Sequence, residues 1–166
     1  MKQTKVWIVA YTKPKHENTA KNLLELKGYK VLMPLIKRKR IWSDRTKWIK
    51  MPLFPSYIFV QCRLNESIFI LQTQGIVKLV NFNGKTAVIN NNEIIALEGI
   101  IANRFNPSEI DYFIKGEKAL VINGPLKGYH GEIIKSDSKH SKLILRIEAI
   151  GRSLTINIKT NELKKY

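Results

Sequence analysis

The chain has 166 residues, of which 44% are hydrophobic, a globular balance with room for one ordinary domain or two small ones and no sign of general disorder. Lys and Arg outnumber Asp and Glu by 29 to 13, a formal net charge of +16, which directs the surface toward a phosphate polymer or an acidic protein. No apolar run approaches the ~18 residues of a membrane span, no leader-like segment opens the chain, and a single cysteine, Cys62, excludes an internal disulfide, so a cytoplasmic protein with no membrane contact is expected.

The first element is the strand candidate "VWIVAYT", rich in β-branched and aromatic residues. Thr12 and Pro14 then open a helix over about residues 14 to 27, with Ala20, Leu23 and Leu24 as its apolar stripe and Gly28 as its terminator. A second strand, "YKVLMPLI", leads into the basic stretch 37 to 50. The third, "MPLFPSYIFVQC", contains Pro52 and Pro55, so its pairing begins only after Pro55. "NESIFILQTQG" reads as a helix with Ile68 and Leu71 in phase, and "GIVKLVNF" as the fourth strand. Strand, helix, strand, strand, helix, strand is the ferredoxin-like order, with both helices on one face of an antiparallel sheet.

A hairpin, "NFNGKTAVI", and a third helix, "NEIIALEGII", complete a first domain over residues 1 to 102. The polar stretch 103 to 112 reads as a linker. Beyond it, residues 113 to 166 hold the short strand candidates "ALVI", "GEIIKS", "KLILRIEAI" and "LTINIK", which suits a small β-barrel. The fold class is therefore α+β.

Alternation assigns faces. Ile58 and Val60 share one side with Ile8 and Ala10, while Tyr57, Phe59 and Gln61 share the other with Trp7, Val9 and Tyr11. If the two crossover helices cover the aliphatic side, the rings lie on the side left open. Trp7 and Val9 read as ordinary core, and Tyr11, Tyr57 and Phe59 as a partner surface of the kind that anchors protein interfaces.

Between Lys37 and Lys50 stand Lys37, Arg38, Lys39, Arg40, Arg45, Lys47 and Lys50, opposed in sequence only by Asp44. Cations interleaved with Trp42 and Trp48 suit a nucleic-acid strand, the charges meeting phosphate and rings stacking on bases. An exposed, merely solvated hairpin fits the charges equally, and the tryptophans are expected to pack back on the sheet.

Nothing in the sequence reads as an enzyme. His16, His130 and His140 are scattered, and one cysteine leaves no metal-ligand spacing. There is no phosphate-binding glycine loop or nucleophile elbow. Glu17 and Asp44 are expected to be surface or capping residues, Cys62 a core residue, and no cofactor or metal is implied.

"VWIVAYTKPKHE", "PLFPSYIFV" and "GIVKLVNFNGKTAVI" resemble the N-terminal domain of the NusG family of transcription elongation factors, and "KGEKALVINGPLKGYHGEI" resembles its C-terminal KOW motif, an SH3-like barrel. Through "WSDRTKWIKMPLFPSYIFV" the chain is most similar to the specialised antitermination paralogues, RfaH and the UpxY proteins. The resemblance implies a non-catalytic, monomeric factor that binds RNA polymerase, contacts DNA at the transcription bubble, and bridges the cleft to oppose pausing and termination. It places Tyr11, Phe54, Pro55, Tyr57 and Phe59 against the clamp helices of the β′ subunit. Leu126, Lys127, Tyr129, Ile150 and Arg152 would meet a ribosomal protein or Rho. Three departures are Ser56 in place of glycine, Leu126 in place of an aromatic, and "NESIFILQ" in place of the His-Thr-Thr run offered to the β subunit. The strand-rich second domain is expected to be a stable barrel. The rival reading is a ribosome-associated KOW-type RNA-binding protein.

Overall fold

The computed structural model describes residues 4–42, 45–102, 108–110 and 116–166. The chain divides into two compact units, Met1–Ile89 and Asn90–Tyr166, taken here in turn.

In the first unit, strand β1 (Val6–Thr12) leads to helix α1 (Glu17–Leu26), with Lys15 in the left-handed region (φ 64) at the bend between them. Ala20 and Leu24, four residues apart, lie on the buried stripe of α1. Gly28, at φ +86, ends the helix, a backbone position at which a side chain would be strained.

The segment read as a second strand is two strands. β2 (Lys30–Leu32) pairs with the main sheet, the chain turns at Met33 and Pro34, and β3 (Leu35–Ile41) pairs with β4 (Thr46–Pro52) as a separate two-stranded ribbon. Proline has no N–H to give a ladder, which accounts for the division. After the turn around Pro55, β5 (Tyr57–Cys62) rejoins the main sheet. A single 3-10 turn precedes the short helix α2 (Ser67–Leu71), and β6 (Ile76–Leu79) follows.

The main sheet runs β2-β5-β1-β6, antiparallel as the ferredoxin-like order requires. The chain then forms a small hairpin, β7 (Asn81–Phe82) with β8 (Lys85–Thr86), and β9 (Val88–Ile89) returns to pair with the start of β1. Ile8, Ala10, Ile58, Val60 and Cys62 pack with Ala20, Leu24, Met33, Ile70 and Ile76 in one core, each large side chain contributing about 1.5–3 kcal/mol of apolar burial. In α2 the buried residue is Ile70; Ile68 and Leu71, which the sequence spacing favours, are exposed. So short a helix rests one side chain on the sheet.

The second unit opens with α3 (Asn91–Ala102), which the sequence reading groups with the first domain. Six strands follow: β10 (Ser108–Ile110), β11 (Glu117–Val121), β12 (His130–Ser136), β13 (His140–Ile147), β14 (Arg152–Lys159) and β15 (Leu163–Lys165). They form one antiparallel sheet in the order β10-β14-β13-β12-β11-β15. β10 falls within the stretch expected to be a linker; residues 103–107 and 111–112 of that stretch lie outside the described residues. Helix α3 packs on β13 and on the β11–β12 turn, so closely that a Cβ at Gly99 would stand 2.8 Å from Leu126 Cδ2 and 3.0 Å from the Pro125 carbonyl oxygen. The strand expected to run on to Ile150 ends at Ile147, where a 3-10 turn closes on Gly151 (φ +59).

Candidate functional site

Two surfaces of the first unit carry the residues that the sequence singles out. On the main sheet, Tyr11 stands opposite Tyr57 on one side and Lys78 on the other. The tyrosine rings meet edge to face with centroids 5.2 Å apart, and the Lys78 ammonium lies 5.7 Å from the Tyr11 centroid. Both tyrosines are half-buried, and Pro55 beside them is exposed. This arrangement leaves an aromatic edge and a cation available to a partner.

Phe54 and Phe59 are placed differently. They pack edge to face at 6.0 Å, and Phe59 is 0% exposed. Trp7 and Val9 are also buried, as expected of core residues. The expectation that Phe54 and Phe59 present rings to a partner is therefore not met in this structure: of the five residues named for that surface, Tyr11, Pro55 and Tyr57 keep exposure.

The turn that sets Tyr57 is held by Glu17, which the sequence reading expects to be a surface or capping residue. Glu17 is buried, and its Oε1 accepts the N–H of Ser56 at 2.9 Å. Ser56 adopts φ 65, and its carbonyl oxygen accepts the N–H of Thr12 at 2.8 Å. A carboxylate accepting a buried backbone N–H makes a strong bond, so α1 fixes the loop from its first turn.

The β3–β4 ribbon is the second surface. Its register sets Lys37 opposite Lys50, Lys39 opposite Trp48 and Arg40 opposite Lys47, and all seven cations are exposed. Asp44 lies outside the described residues. The expectation that both tryptophans pack on the sheet is corrected: Trp48 is 65% exposed and Trp42 39%. β3 and β4 pair only with each other among the described residues. The Arg40 and Arg45 guanidinium groups lie 5.8 and 5.6 Å from the Trp42 centroid, a stacked cation–aromatic arrangement.

In the second unit, Lys127 and Arg152 are exposed and Ile150 is half-buried, while Leu126 and Tyr129 are buried. The Tyr129 hydroxyl accepts the N–H of Arg146 at 3.2 Å, and burial raises its pKa above the ordinary phenol value. Gly124 and Gly128, at φ +80 and +87, bend the turn so that Gly128 N–H reaches the Val121 carbonyl at 2.8 Å. Between the neighbouring strands β12 and β13, Arg146 pairs with Glu132 at 3.0 Å, and Gly116 donates to the same carboxylate. That pairing, absent from any local motif, holds the Glu132 carboxyl below its usual range, chiefly through the Arg146 hydrogen bond. Cys62 is buried, and desolvation, aided by the Glu66 charge, pushes its thiol up to about 11, the mark of an inert thiol.

A ferredoxin-like sheet followed by a small glycine-turned barrel defines a two-module α+β protein of the kind that pairs an N-terminal domain with a KOW domain. Comparison with known proteins agrees. The family model described as transcription termination factor NusG matches residues 5–98. The transcription termination/antitermination protein NusG of Bacillus subtilis is 23% identical over 175 aligned positions, covering 97% of this chain and 98% of that protein. Its namesake from Helicobacter pylori strain J99 is 24% identical over 125 residues, 74% of this chain and 71% of that one. Among solved structures, Thermotoga maritima NusG, described for its domain interaction, superposes with a TM-score of 0.54 at 21% identity, over 98% of this chain and 97% of that one. The chain belongs to the NusG family and is a NusG-like transcription factor.

Proposed function

We propose that this protein binds RNA polymerase through the Tyr11, Pro55 and Tyr57 surface, with Phe54 and Phe59 buried as a ring pair in the same stretch of chain, and acts as a non-catalytic elongation and antitermination factor. In this reading it docks on the β′ clamp helices, spans the cleft toward the β subunit, and opposes pausing and termination, as an operon-specific paralogue working as a monomer in the cytoplasm. The β3–β4 ribbon then lies toward DNA at the transcription bubble. The barrel recruits a ribosomal protein or Rho through its exposed Lys127, Ile150 and Arg152, with Leu126 and Tyr129 shaping the turn from below.

The observation that carries the reading is the Tyr11–Tyr57 edge pair, 5.2 Å between centroids, left partly exposed on the side of the sheet opposite α1 and α2. Aromatic residues enclosed at one end and open at the other anchor protein interfaces. Affinity capture of the tagged chain from its own cells tests it: polymerase subunits are expected in the eluate, and ribosomal subunits without polymerase would favour the ribosome-associated alternative instead. No helix of the described residues is long and apolar enough to cross a membrane.

A further inference from the structure

The outer face of the barrel carries a cationic surface of its own, bordered on one side by Pro125 of the β11–β12 turn. Along β13, Ser141 and Leu143 point inward and are buried, so His140 and Lys142 point outward. The register sets Lys135 of β12 and Asn157 of β14 on either side of Lys142, and Lys159 of β14 opposite His140. All five side chains are exposed. Like charges placed directly across a ladder repel, and among the described residues none of Lys135, Lys139, Lys142 and Lys159 has an ion-pair partner.

Asp137 in the β12–β13 turn is the nearby acid, and it is committed to the backbone. Its Oδ1 accepts the N–H groups of Lys139 at 2.8 Å and His140 at 2.7 Å. Thr160 ties the same turn down, donating its hydroxyl to the Asp137 carbonyl at 3.0 Å and its N–H to the Lys139 carbonyl at 3.0 Å. The cations are thus carried on backbone fixed before any ligand arrives, which lowers the ordering cost of binding. Two open grooves of about 390 and 420 Å³ run past this turn, and His140 and Lys159 line both. Ser138 and Asn161 add polar groups to the first and Asn157 to the second; Glu162, also in the second, leans toward Gly124.

We infer that this face, centred on His140, Lys142 and Lys159, binds the phosphodiester backbone of a nucleic acid. It offers donors for phosphate oxygens and, among the described residues that line it, no tryptophan, tyrosine or phenylalanine on which bases stack, so it reads charge spacing and not sequence. The inference rests on the barrel alone and stands whether or not the first unit docks on polymerase.

Fluorescence anisotropy on the full chain tests it, using a labelled single-stranded RNA and a labelled DNA duplex over a salt series. Ribbon binding is first suppressed by Arg38→Gln, Arg40→Gln and Lys47→Gln together. In that background, Lys142→Gln with Lys159→Gln is expected to make the slope of log affinity against log salt shallower, by ~1.4 for a single strand or ~1.8 for a duplex if each lysine meets one phosphate. A thermal melt of each variant verifies the fold. A slope change with RNA alone, or with the duplex alone, supports the site and names its source. The inference is overturned if no salt-dependent binding survives in the ribbon-suppressed background, or if both slopes stay unchanged. It is equally overturned if Lys142→Glu weakens binding and the paired Gln changes do not, since that would be distant repulsion and not contact.

Discussion

The main sheet and the β3–β4 ribbon lie next to each other in the chain, yet they handle aromatic residues in opposite ways. On the sheet, β5 has a neighbour on each side, and its rings are largely enclosed: Phe59 has no exposed surface, and Tyr57 shows only part of its ring. In the ribbon each strand has one partner among the described residues, every cation reaches water, and Trp42 lies against two guanidinium groups while Trp48 stands largely in solvent. The difference separates a surface specified by shape from one specified by charge. Substitutions on the first should act on stability or on a fitted partner; those on the second should act on salt-dependent binding.

The sharpest contrast is expected at neighbouring positions of one strand. Phe59→Ala should lower unfolding free energy by about 3–5 kcal/mol in urea titration, whereas Tyr57→Ala, losing mainly the edge contact with Tyr11, should cost about 1 kcal/mol. Equal losses would erase the distinction between the enclosed and the open ring. Next in size, Trp48→Ala should leave the melting temperature unchanged while weakening single-stranded DNA binding by ~1–3 kcal/mol if the ring stacks on a base. A fall in melting temperature without a change in binding would return Trp48 to a packing role.

Glu17→Ala should cost about 1–3 kcal/mol by stranding the Ser56 N–H, and hydrogen exchange at residues 54 to 57 should quicken with it. A smaller effect is expected in acid. Because the native Glu132 carboxyl is held below its ordinary value by Arg146, its contribution is present in full at neutral pH. It declines once pH falls below about 4.3, the unfolded value, and is lost as pH drops through the lower native one. Arg146→Gln should flatten that limb of the urea midpoint against pH; an unchanged limb would show that the pair contributes nothing there. The smallest expected effect concerns Cys62, which should resist thiol reagents at pH 8 in the native protein and react only on unfolding.

How much of this was legible in the sequence depended on how many neighbours each element has. Alternation on β1 and β5 gave the faces correctly because both are inner strands with a helix layer on one side. The Met33–Pro34 break was hidden by continuous apolar residues on either side of it, and the exposure of Trp42 and Trp48 by the assumption that a sheet would lie beneath them. Ile70, not Ile68 or Leu71, became the buried residue of α2 because a helix of five residues shows no sustained period. The link from Glu17 to Ser56 spans 39 positions, beyond any local pattern. The open aromatic surface is narrower than alternation implied, since Phe59, on the same face of β5 as Tyr57, and Phe54 are both buried.

The central question is whether the half-buried tyrosine pair is a docking surface. Titrating core RNA polymerase with the wild-type chain and with a Tyr11→Ala, Tyr57→Ala variant of verified fold decides this. If both are interface anchors, each should cost ~2 kcal/mol or more, a combined weakening of roughly a thousandfold. Wild-type affinity in the folded double variant would contradict the assignment of this face to polymerase.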